Sequence, residues 1–83
     1  MNQAVAVWTV WWEVGEGTRT ATAPDFESAC ALAECVGDQA HVWEEHHEGG
    51  FYEWNDWERV DGEWWPMLGG RFPFMPARPW EGE

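Results

Sequence analysis

The sequence predicts an α+β fold, a small antiparallel β-sheet with one helix packed on it in the order β-β-α-β-β-β, followed by an extended proline-rich C-terminal tail. Three observations carry that expectation. Between Ala4 and Val14 every even position is apolar while Thr9 and Glu13 stand among the odd ones, the period of a strand with its even face on a core. Residues 23–38, APDFESACALAECVGD, hold one helical repeat between two capping residues. After Ala40 the alternation returns, punctuated by Glu48-Gly49-Gly50 and Asp61-Gly62. Residues 1–68 are read as one domain and 69–83 as the tail.

Each element has its own signal. Gly15-Glu16-Gly17 turns the first strand into Thr18–Ala23, whose threonines suit a returning partner strand. Asp25 has N-cap chemistry, Phe26, Ala29, Leu32, Ala33 and Val36 fall on one stripe, and Gly37 suits the position just past the helix end. Cys30 and Cys35 lie five apart, about 140° around a helix, so they form neither a disulfide nor a metal pair within it; both read as small core residues of a reduced chain. AHVWEEHH and FYEWNDWERV are the next two strands, and Asp61-Gly62 turns the second of them into EWWPML. Past Leu68, GGRFPFMPARPWEGE has three prolines at spacing three and no periodic run, so it is expected to lie over the domain or hang loose.

The turns set registers. With Asp61-Gly62 as the turn, Val60 pairs with Glu63, Arg59 with Trp64, Glu58 with Trp65 and Trp57 with Pro66. One face of that hairpin then carries Trp57, Arg59, Trp64 and Leu68 and is expected to face the core, Arg59 lying over Trp64 as a cation–π pair. The other carries Trp54, Asp56, Glu58, Glu63 and Trp65, mixing carboxylates with two aromatics that the local pattern does not bury. In the preceding hairpin, a loop of Glu48 to Gly50 sets Glu45 opposite Glu53, a like-charge pair that costs the fold a few tenths of a kcal/mol or more.

Sixteen acids face four arginines, the chain has no lysine, and its net charge is −12. Direct contact with nucleic acid or an anionic membrane needs cations that this chain lacks. A basic partner fits. The start lacks a basic n-region and a cleavage site, and no apolar run reaches the roughly 18 residues of a membrane span, so a cytoplasmic location is expected.

Enzyme chemistry finds little support. Ser28 and Cys30 sit in the helix without a partner base, and the carboxylates are too numerous for two to be singled out as acid and base. HVWEEHHE offers His41, His46 and His47 with three glutamates, yet His46 and His47 point to opposite faces of a strand and no HExxH or CxxC spacing is present; no metal or cofactor is assigned. Pro73 to Arg78 matches the PxxPxR form of a polyproline ligand, while Phe72, Phe74 and Trp80 beside it suit a tail packed on its own sheet.

What remains is a row of negative charge with aromatic anchors. Glu44, Glu45, Glu53, Asp56, Glu58 and Glu63 are the candidate phosphate stand-ins, and Trp54 and Trp65 the candidate anchors, of a partner-binding face. In size and charge, though in no stretch of sequence, the chain resembles the small acidic proteins that bacteriophages make against host defence, such as anti-restriction and anti-CRISPR inhibitors. That resemblance implies a nucleic-acid mimic whose partner is a basic nucleic-acid-binding host protein. Three other uses of the same residues stay open: an aromatic platform for a small ligand or protein, a solvated surface adapted to solubility or high salt, and a homodimer formed through the aromatic second half.

Overall fold

The alternation that opens the sequence becomes β1 (Val5–Val14), paired with β2 (Gly17–Ala23); after α1 (Phe26–Val36) come β3 (His41–Glu48), β4 (Phe51–Val60) and β5 (Glu63–Phe72). The structure is a computed structural model that describes residues 5–75 and 77–81; Ala4, at the head of the alternation, and Pro76 of the PxxPxR match lie outside them. Every strand pair is antiparallel, and the order across the sheet is β2-β1-β3-β4-β5. Because β3 lies on the far side of β1 from β2, the connection between them must cross the sheet, and α1 is that crossing.

Asp25 caps the helix, its Oδ1 accepting from Ser28 N at 2.7 Å, and Gly37, at φ 136°, ends it with its N–H on the Ala33 carbonyl. Ala29, Cys30 and Ala33 face inward, and their small side chains let the helix backbone close onto Val10 and Val42. Trp8, Trp12, Trp57, Trp64 and Phe26 ring this centre and remain partly buried. The even face of β1 is therefore the helix face, as its pattern requires. Cys35 departs from the expectation: it lies at the exposed side of the helix, whereas Cys30 is buried, and burial with Glu34 nearby pushes the Cys30 thiol up to about 11.

The last hairpin keeps the register set by its turn, from Val60↔Glu63 to Trp57↔Pro66, with Asp61 and Gly62 both in the left-handed region at φ 52° and 82°. Beyond it a bulge at Asp56/Trp57 sets Leu68 opposite Asp56. Leu68 thus leaves the core face on which an unbroken register would place it, and it is 63% exposed. The cation–π pair expected of Arg59 and Trp64 is replaced by a shared acceptor on α1: Trp64 Nε1 donates to Glu34 Oε2 at 3.2 Å, and Arg59 Nη1 stands 3.9 Å from the same oxygen.

Two further corrections concern β3–β4 and the tail. Glu48 pairs with Phe51 across a two-residue Gly49-Gly50 turn, so Glu45 faces Trp54 and His46 faces Glu53, one step away from the expected Glu45–Glu53 pair. The like-charge clash does not arise. Residues 69–72, assigned to the tail, instead continue β5, with Gly69 opposite Asn55. A Cβ on Gly69 would come within 2.6 Å of the Trp54 carbonyl oxygen, so the glycine is what lets the strand pass so close.

Candidate functional site

The face of the sheet away from α1 is lined by Trp11 of β1, His41, Trp43, Glu45 and His47 of β3, and Trp54, Asp56 and Glu58 of β4. Trp43 and Trp54 stack at 4.7 Å between centroids, and Trp11 stacks on His41 at 4.2 Å. Trp80, from the segment after β5, sits edge-on to Trp43 at 5.5 Å and tilted to Trp11 at 6.5 Å. Beside it Arg78 grips Glu45 with two hydrogen bonds, Nε to Oε1 at 2.7 Å and Nη2 to Oε2 at 2.6 Å. The chain end thereby covers the centre of this face and leaves Trp11 and Trp43 buried.

This placement removes several candidates from a partner-binding row. Glu45 is 2% exposed, and it also accepts from Trp43 Nε1 at 2.9 Å and pairs with His47. Burial pushes its pKa up, but the hydrogen bonds from Arg78, Trp43 and His47 more than reverse this and hold it at about 2. Asp56 is 4% exposed and accepts from Trp11 Nε1 at 3.0 Å. Trp54 is half-buried in its stack on Trp43. Glu44 points to the helix face, accepting from Trp57 Nε1 at 2.9 Å and Asn55 Nδ2 at 3.3 Å and pairing with His46. Glu53 is exposed on that same face, opposite Arg71.

Glu58, Glu63 and Trp65 do come together. Glu58 pairs directly with Trp65 across the last hairpin, and Glu63 shares their face one turn-end away. Trp65 is 50% exposed and is the only exposed indole of the nine. The hairpin tip belongs to one end of the sheet, where the β1–β2 turn, the entry to β3 and the β4–β5 turn meet, so Glu13, Glu16, Asp38 and Asp61 join the same rim. Two of the four arginines stand at this end as well: Arg59 lines a hollow with Asp38 and Asp61 and approaches Glu34, and Arg19 lies on the edge strand β2 opposite Trp12, whereas Arg71 lies over the Phe51 ring at 4.7 Å and Arg78 is held by Glu45.

Sequence reasoning missed Glu13, Glu16 and Asp38 because they come from three separate connections that only the sheet order brings together. It also missed Arg78 as the partner of Glu45; an arginine two residues from Trp80 was the available signal. The PxxPxR arginine is accordingly engaged within the fold. Among the described residues no helix is long and apolar enough to cross a membrane. Compared with protein-family models, curated proteins and solved structures, the chain matches none.

Proposed function

We propose that the protein is an acidic inhibitor that docks onto a positively charged nucleic-acid-binding surface of another protein, in the manner of phage proteins directed against host defence effectors. The observation that carries this reading is Trp65, half exposed between Glu58 and Glu63 at the most acidic end of the sheet. Carboxylates there stand in for phosphates and steer the encounter, and the indole supplies the desolvated anchor that slows release. Glu45 and Asp56 serve the fold, so the proposed surface is Glu58, Glu63 and Trp65 with Glu13, Glu16, Asp38 and Asp61 around them.

A stacking platform for small ligands is the weaker reading, because the second tryptophan such a platform would use, Trp54, is taken up by Trp43. Affinity capture from bacterial lysate tests the proposal. Nucleic-acid-binding proteins should be retained at low salt and released both by higher salt and by added DNA or RNA. Capture limited to proteins without nucleic-acid sites, or retention indifferent to salt, would count against it.

A further inference from the structure

On the tail-covered face, the register sets His41 of β3 beside Glu58 of β4, with Asp56 two residues back on the same side of the strand. One ligand atom from each of the three lies within 4.8 Å of the other two. His41 Nδ1 is buried 3.3 Å from Asp56 Oδ2, yet the approach is outside hydrogen-bond geometry, and Nδ1 has no hydrogen-bond partner among the described residues. Two ligand atoms on one tetrahedral zinc ion, each about 2.0–2.1 Å from it, stand roughly 3.4 Å apart. The His41–Asp56 separation already matches that edge.

Both groups are held from behind. Trp11 Nε1 donates to Asp56 Oδ1 at 3.0 Å, leaving Oδ2 turned toward His41, and the Trp11 ring stacks on the imidazole at an interplanar angle of 14°. Support of this kind around ligand groups fixes their orientation in metal sites. Charge points the same way. Two carboxylates beside one imidazole leave the cluster net negative, a charge that a bound dication balances. We propose that His41 Nδ1, Asp56 Oδ2 and the Glu58 carboxylate bind a divalent first-row transition ion, zinc above all, with the fourth position left to water. The three ligands come from two strands, which is why no spacing within HVWEEHHE revealed the site.

The test uses the isolated, tag-free protein and so is independent of any docking partner. Titration with Co(II) should give d–d bands of nitrogen and oxygen coordination at one equivalent, without the thiolate charge-transfer band that Cys35 would produce, and zinc should displace the cobalt. Affinity should fall at least about 10-fold in Glu58→Gln, whose half-buried side chain is the safest of the three to alter, and about 10- to 100-fold in Trp11→Phe, which removes the outer hydrogen bond to Asp56 while keeping a smaller aromatic ring beside His41. Circular dichroism checks that each variant folds. Absence of stoichiometric binding, affinity unchanged in Glu58→Gln and His41→Gln, or loss only in the His46→Ala, His47→Ala double variant would overturn the assignment.

Discussion

Four indole N–H groups end on carboxylates: Trp11 on Asp56, Trp43 on Glu45, Trp57 on Glu44 and Trp64 on Glu34. A buried indole needs an acceptor and a buried carboxylate needs donors, so interleaving the two in sequence satisfies both. Much of the mixture of tryptophan and acid in residues 53–66 and their neighbours is thus internal hydrogen bonding. Glu45 is the extreme case, and its ion pair sets a prediction. Arg78→Ala leaves a buried carboxylate without its cation and should cost about 3–5 kcal/mol at neutral pH, read by chemical denaturation. The pH dependence follows from the held-down pKa: stability from Glu45 is fully present above its unfolded value near 4.5 and is lost as pH falls toward about 2. Arg78→Ala, in which only the Trp43 and His47 hydrogen bonds oppose the burial of Glu45, should lose less on acidification than the wild type over that window.

At the level of elements, the sheet is covered on both sides, by α1 on one and by residues 78–80 on the other. A chain ending at residue 74 should therefore melt at least ~12 °C lower, taking about 3 kcal/mol lost at roughly 4–8 °C per kcal/mol, with its tryptophan emission shifted to the red as Trp11 and Trp43 meet water. Gly69→Val should cost about 1–3 kcal/mol in a denaturant melt, because its Cβ meets the Trp54 carbonyl. The helix, its caps, the β1 faces and the Asp61-Gly62 register were legible because each rests on local chemistry. The bulge at Asp56/Trp57 was not, since it depends on how Pro66 and Met67 are accommodated at an edge strand, and it displaced Leu68. Gly49-Gly50 forms a two-residue turn, and counting Glu48 with the loop moved the register by one. Three of the eight candidate site residues lie together at the hairpin tip; Glu45, Trp54 and Asp56 were read as free because the segment that covers or engages their face is remote in sequence.

For the molecule as a whole, the net charge is −12, and of the four arginines Arg78 is tied to a buried carboxylate while Arg19, Arg59 and Arg71 stand exposed among a large excess of acids. Self-repulsion works against compactness, so the Glu58→Lys, Glu63→Lys double variant should melt at the same temperature or higher. β5 is an edge strand with Met67 and Leu68 exposed beside Trp65, yet repulsion between copies opposes pairing there; sedimentation should show a monomer at low salt, with any association rising as salt screens the charge.

The most direct test of the proposed docking surface is side-by-side capture from lysate by the wild type, Trp65→Ala and the Glu58→Lys, Glu63→Lys double variant, with captured proteins quantified by mass spectrometry. Basic nucleic-acid-binding proteins enriched by the wild type should fall about 10-fold or more with either variant while the melting temperature holds. An unchanged captured set with the charge-reversed protein would contradict it, and would leave the acidic rim with no role in docking.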